Sequence, residues 1–144
     1  MIAYFDTSAV LPLLVLEGGS PQAGRLWDEA VRVVSVTLTV AEGRAALAQA
    51  ARLGRLSTSD YVVAKREFTA LTEQIDFVET TRSLLSAAGD VAERYRLRAY
   101  DAAHLAAALR VADDDLVVVA GDRDLLRAAR SAGLAVAHIG GTPS

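Results

Sequence analysis

The sequence predicts an α/β fold: a three-layer α/β/α sandwich in which helices flank a central, mainly parallel sheet of four to five strands. Three observations carry that expectation. Short β-branched or aromatic runs alternate along the whole chain with longer Ala- and Leu-rich stretches of helical spacing, a pattern of βαβ units rather than hairpins. Helix start and stop residues fall between those runs. The chain has 144 residues, 52% of them apolar, which suits one domain, 1–144, with a sizeable core.

The elements follow in order. Met1 to Phe5 reads as a buried parallel strand that ends at Asp6, with Thr7 or Ser8 as the cap of a following helix. Ala9 to Leu16 is apolar on nearly every side and predicts a buried or partner-covered helix, with Pro12 near its first turn. After Gly18-Gly19, Ser20-Pro21 forms a cap and first-turn pair for a helix carrying Ala23, Leu26, Trp27 and Ala30. Val33 to Val36 is the second strand. Thr37 or Thr39 opens a long helix to about Leu53, stopped by Gly54, with Leu38, Ala41, Ala45 and Ala48 as its apolar stripe and Glu42 beside it.

Ser57, with Asp60 three residues on, starts a helix whose apolar side is Val62, Val63, Phe68 and Leu71. Ile75 to Val78 is a short strand, and Leu84, Leu85, Ala88, Val91, Ala92 and Tyr95 mark an amphipathic helix. The segment from Tyr100 to Leu126 is then read as helix, strand and helix, with Asp101 opening the first and the strand Leu116 to Val119 delivering Asp122 to the second. Asp113, Asp114 and Asp115 form a polar turn between them. Leu134 to Ile139 is the last strand, and Gly140 to Ser144 is a fraying tail.

Composition narrows the function. A formal charge of −3 argues against a protein that grips nucleic acid by bulk positive charge, although local Arg clusters still allow RNA as a substrate. Fourteen of the fifteen basic residues are Arg, the residue suited to bidentate phosphate contact. No cysteine is present, so disulfides and thiolate zinc sites are excluded. Neither a signal peptide nor a membrane-spanning stretch is visible, and a cytoplasmic protein is the expectation.

Four carboxylates stand at telling positions. Asp6 and Asp122 each end an apolar strand, Asp101 opens a helix in register with Leu105, Ala108 and Ala112, and Glu42 lies in the first turns of another. Taken singly, each Asp is an ordinary helix cap and Glu42 a solvated helix residue. Together they point elsewhere. In open parallel sheets ligands gather at the carboxyl ends of strands. Carboxylates ~4 Å apart repel by roughly 4 kcal/mol per pair at an effective dielectric of 20, so such a cluster needs a cation. Oxygen-only ligation suits Mg²⁺ or Mn²⁺, ions suited to phosphodiester hydrolysis.

The segments IAYFDTSAVLPLL, TVAEGRAAL, RLRAYDAAHLAAAL and LVVVAGDRDLLRAARSAGL, in that order, resemble the motifs of PIN-domain ribonucleases, and among them the VapC-type toxins of bacterial toxin–antitoxin pairs. The likeness covers essentially the whole chain. It implies a PIN-like fold and Mg²⁺- or Mn²⁺-dependent endonucleolytic cleavage of RNA by a toxin held in check by a VapB-like antitoxin, with a homodimer as the working form. It also carries the metal-binding and catalytic acids onto Asp6, Glu42, Asp101 and Asp122. On this reading Asp6 and Asp122 bind the main ion directly, while Asp101 and Glu42 bind it through water or hold a second ion. Ser8 matches a hydroxyl that lies near the metal, and Asp124 matches a further acid. Many members carry Thr or Ser two residues before the acid at Asp122, where this chain has Ala120.

Other residues are weighed against plainer roles. His104 reads as an ordinary helix histidine, and His138 has no partner readable from sequence. Trp27 and Tyr95 are core residues by spacing, though with Tyr61 they are candidates for base stacking. Arg94, Arg96 and Arg98, just before Asp101, form a candidate RNA-steering cluster, with a solvated face as the alternative. The Ala9 to Leu16 segment, with the helices around Trp27 and Val62, is a candidate groove for an antitoxin segment.

Two other functions compete. A haloacid-dehalogenase-like phosphatase wants a second Asp where this chain has Ser8, and a catalytic Lys, whereas the only lysine, Lys65, sits mid-helix. A catalytically weak RNA- or protein-binding module would share the fold but lack turnover.

Overall fold

The computed structural model describes residues 1–140, so the tail expected at 140–144 lies, from residue 141 on, outside the described residues. Five strands form one sheet: β1 (Ile2–Phe5), β2 (Arg32–Val36), β3 (Asp76–Val78), β4 (Leu116–Ala120) and β5 (Ala135–His138). Their order across the sheet is β3-β2-β1-β4-β5, and every pairing is parallel. The chain therefore builds outward from β1 to β3 on one side, then crosses back to place β4 on the other. That reversal between β1 and β4 is a topological switch point, where crevices open at the carboxyl ends of strands.

The alternation of side chains along the strands explains the two faces. Tyr4, Val34, Val36, Leu116, Val118 and Ala120 point to one face, and meet Leu84, Leu105 and Leu125 from α5 (Arg82–Tyr95), α6 (Ala99–Arg110) and α7 (Arg123–Ser131). Ala3, Phe5, Val33 and Val119 point the other way. They meet α1 (Thr7–Val10), α2 (Ser20–Glu29), α3 (Leu38–Arg52) and α4 (Thr58–Thr72) through Val10, Ala23, Leu47 and Phe68. Sheets covered on both faces need strands that are apolar at nearly every position, which is how these runs read.

Local differences from the sequence reading have physical causes. Ala9 to Leu16 is not one helix. α1 stops at Val10, a 3₁₀ turn spans Leu11–Leu13 with Pro12 in it, and Leu16 is 92% exposed, because a proline without an N–H ends regular α-helix so close to its start. The cap of α1 is Asp6 itself, accepting Ala9 N–H at 3.1 Å, rather than Thr7 or Ser8. Likewise Gly19 precedes α2, while the Ser20 hydroxyl accepts Glu17 N–H and donates to Val15 O.

Thr37 precedes α3 without capping it, its hydroxyl being paired with that of Thr80 at 2.7 Å. The buried row of α3 is Thr39, Gly43 and Leu47, with Ala41 and Ala45 exposed. Gly43 decides this rotation, since a Cβ there would lie 2.3 Å from the Phe68 ring of α4. Gly54 stops the helix region as expected, at φ +76°. Val62 and Val63 of α4 and Leu85 of α5 are about half exposed rather than core-facing. Ser57 and Thr81 cap α4 and α5 as side-chain acceptors. No helix among the described residues is long and apolar enough to cross a membrane.

Candidate active site

The carboxyl edge of the sheet collects the acids. β1 and β4 are adjacent and in register, Phe5 opposite Val119, and Asp6 N–H donates to Val119 O at 3.2 Å. Asp6 therefore leaves the sheet beside Ala120, and Asp122 follows two residues later as the cap of α7, accepting Leu125 N–H at 3.0 Å. Both acids are caps, as the plain reading holds. That role uses only one oxygen of each.

Ser8 ties the two strand ends together. Its hydroxyl donates to Asp6 Oδ1 at 2.7 Å and accepts Gly121 N–H at 2.8 Å. Ala120, two residues before Asp122, is wholly buried and apolar. The hydroxyl at this edge is thus supplied from the β1 side, next to the backbone that presents Asp122.

α3 and α6 bring the other two acids. Glu42 is half-buried and its Oε1 accepts from the Thr7 hydroxyl at 2.8 Å and from His104 Nε2 at 2.8 Å. His104 is itself 2% exposed, with Nδ1 2.9 Å from the Tyr4 hydroxyl. Both ring nitrogens are thus engaged, Nε2–H donating to Glu42 and Nδ1 pairing with the Tyr4 hydroxyl. His104 is therefore not the ordinary helix histidine of the sequence reading but a buried strut joining β1, α3 and α6. Only its position one turn after Asp101 hinted at this, and the partners lie 62 and 100 residues away. Asp101 is half-buried in the first turn of α6, whose following residues, Ala102 to Ala108, are all buried. Ala112, expected in register with it, lies beyond the helix and is exposed.

Burial and neighbouring charges act on three of the acids. Burial pushes the Asp6 carboxyl up to about 6, with His104, Ser8 and Ala9 N–H opposing and the Asp122 charge adding to the rise. Asp101 is also raised, first by burial and then by Asp122, with Glu42 adding while His104 and Arg98 oppose. For Glu42 burial again raises, but the hydrogen bonds and charge from His104 and the Thr7 hydroxyl outweigh it, and the net shift is downward.

Three of the acids share a pattern that bears on metal binding. Asp6 and Asp122 use Oδ1, and Glu42 uses Oε1, to hold the protein. Among the described residues the second oxygen of each carries no protein hydrogen bond. No three acid or histidine side chains among the described residues stand gathered as a finished ion cage. The donor set, hard oxygens with one left free on each anchored carboxylate, fits Mg²⁺ or Mn²⁺ and not a thiophilic ion.

The remaining candidates divide. Asp124 is exposed on the first turn of α7 and faces Arg127 at 3.9 Å, outside this cluster. Arg94, Arg96 and Arg98 are all exposed. Arg94 lies over the Tyr95 ring at 5.5 Å, Arg96 occupies the left-handed cap of α5 at φ 56°, and Arg98 alone bears on the site through its charge on Asp101. Trp27 packs edge-on against Phe5 and belongs to the core. An aromatic that the sequence reading passed over stands closer: Tyr100 is 62% exposed and, with Leu38, Glu42 and Arg52, lines a groove of about 540 Å³ that opens at Glu42.

Fold and site together define a class: an all-parallel α/β domain with carboxylates at the ends of the two strands that flank its switch point. The PIN domain model matches residues 3–131, and the chain belongs to the PIN-domain family. It is 42% identical over 136 residues, 94% of each chain, to a Mycobacterium tuberculosis protein described as Ribonuclease VapC45. Among solved structures it is similar to PAE2754 from Pyrobaculum aerophilum, at 25% identity and a TM-score of 0.66, covering 94% of this chain and 83% of that one. A toxin–antitoxin complex from Klebsiella pneumoniae shares the fold at 15% identity and a TM-score of 0.63, over 97% and 99% of the two chains.

Proposed function

We propose that this chain is an endoribonuclease of the VapC kind, the toxin of a toxin–antitoxin pair, acting as a single domain in the cytoplasm with Mg²⁺ or Mn²⁺. The observation that carries the reading is that a PIN domain 42% identical to a protein described as a ribonuclease ends its adjacent strands β1 and β4 at Asp6 and Asp122, with Glu42 and Asp101 in the first turns of α3 and α6. Asp6 and Asp122 would hold the ion with their free oxygens, and Asp101 and Glu42 would complete or extend its ligation. When bound, such an ion supplies Lewis-acid stabilisation of phosphate charge and activation of the attacking water. The chain's own residues do the rest. Ser8 fixes the spacing of the two strand-end acids, His104 and Thr7 fix Glu42, and Tyr100 walls the groove that leads there, where a base can stack.

A groove of about 570 Å³ between the Leu11–Leu16 segment and α3, with Leu47, Ala50 and Leu53 beside the polar Glu17, Gln49 and Arg55, supports an antitoxin partner. It lies against α3 and not against Trp27, which the sequence reading had included. Val62 and Val63, half-exposed on α4, offer apolar surface for a second copy or the antitoxin.

Inducible expression in a bacterium tests this reading. Growth arrest with new RNA 5′ ends, absent for Asp122→Asn and relieved by the cognate antitoxin, is expected. Unimpaired growth with intact RNA and abundant soluble protein would contradict it.

A further inference from the structure

A second feature lies just beyond the acids. Arg123, Arg127 and Arg130 recur at i, i+4 and i+7 along α7, all exposed, and with Leu126 and His138 they line one depression of about 240 Å³. The three arginines span about 10 Å of helix at 1.5 Å per residue. In a chain of net charge −3 such a row runs against the overall balance. Among the described residues its one ion pair is Arg127 with Asp124, 3.9 Å apart in an exposed contact that leaves the guanidinium free for a stronger partner.

Position links this row to the site. Arg123 follows Asp122 directly, and His138 sits opposite Ala120 on the neighbouring strand, so the depression begins at the same carboxyl edge of the sheet as the acids. From there α7 runs back along the sheet beside β5.

We propose that Arg123, Arg127, Arg130 and His138 form a phosphate-binding track that holds the RNA backbone as it leaves the acid site. This rests on the ribonuclease reading above. The chemistry favours RNA over a protein partner. A polyanion drawn to a cluster of carboxylates needs compensating cations close by, and guanidinium forks match phosphate oxygens. The floor offers a single apolar side chain, Leu126, too little for a hydrophobic protein contact. The track is sequence-blind: it positions the strand and leaves base choice to other contacts.

Fluorescence anisotropy of two unrelated labelled 16-nucleotide single-stranded RNAs, in EDTA and across a salt series, tests the track. R127A/R130A is compared with wild type, with the charge-keeping R127K/R130K, and with R25A/R66A on the opposite face. The expected result is several-fold weaker binding of both RNAs by R127A/R130A and a salt slope flatter by about 1.4, from two lost phosphate contacts on a single strand. R127K/R130K should restore most of that slope, R25A/R66A should bind as wild type does, and the melting temperature of each variant should match wild type. A wild-type slope in R127A/R130A overturns the track while leaving the ribonuclease reading standing. Unchanged RNA binding with loss of dimerisation or antitoxin capture also overturns it, and assigns the depression to a protein. A wild-type protein that neither binds nor cleaves RNA removes both the track and the function it rests on.

Discussion

His104 Nε2 and Glu42 Oε1 lie 2.8 Å apart, joining the buried start of α6 to the first turns of α3 beneath the acid cluster. The bond settles which way Glu42 faces, and the Tyr4 hydroxyl on the far side of the ring fixes the imidazole in turn.

Replacing His104 with Ala removes both contacts and leaves the wholly buried Tyr4 hydroxyl without its imidazole partner. An unsatisfied buried hydroxyl costs about 1–3 kcal/mol, and the cavity left by the ring adds to that. Urea denaturation should show a loss of at least this size. Calorimetric Mn²⁺ titration of the folded variant should show weaker binding, by roughly 10–100-fold, as for lost outer-sphere support.

Ser8→Ala cuts the link between Asp6 Oδ1 and Gly121 N–H. The fold should survive, at a cost of about 1–2 kcal/mol for the lost hydrogen bonds. RNA cleavage should fall by more than stability does, because the two strand-end acids lose their common spacer. Equal kcat in Ser8→Ala and wild type would show that the spacer has no bearing on the reaction.

The Asp6 carboxyl, raised to about 6 by burial, makes metal-free stability pH-dependent. A folded pKa above the unfolded value means that the native state binds the proton more tightly. Stability is therefore gained as pH falls through about 6 and levels off below the unfolded value near 4, by about 3 kcal/mol from this group alone. Asp101 works in the same direction and Glu42 against it. Asp6→Asn keeps a helix cap while removing the charge, so in EDTA at pH 7.5 it should melt no lower than wild type and lose most of this pH dependence.

Gly43→Ala should destabilise the protein even though Ala favours helix by up to about 1 kcal/mol over Gly. The new Cβ would clash with the Phe68 ring, which is 1% exposed and packed in the core. Overpacking of this kind costs about 1–3 kcal/mol, and a chevron or urea curve would record a net loss.

Much of this was legible in the residues. The five strands, the stop at Gly54 and the cap at Ser57 are local signals, written within a few residues of where they act. The places of Asp6 and Asp122 were legible because each ends an apolar strand, where the chain order alone implies a shared sheet edge. What escaped depends on distant partners. The rotation of α3 is set by Phe68 against Gly43, the role of His104 by Tyr4 and Glu42, and the exposure of Val62 and Val63 by which side of α4 meets α3. Ala9 to Leu16 misled for a different reason: continuous apolarity has no periodicity, so nothing but Pro12 marked where the helix ends.

The role proposed for Asp6, Glu42, Asp101 and Asp122 is to act together on RNA with a divalent ion. Purified wild-type protein and Asp101→Asn, incubated with total RNA and Mn²⁺ or with EDTA, test it most directly. Discrete fragments from wild type with Mn²⁺, absent in EDTA and absent for the folded Asp101→Asn variant, are the predicted result. Fragments that persist in excess EDTA, or that Asp101→Asn still produces at the wild-type rate, would contradict it.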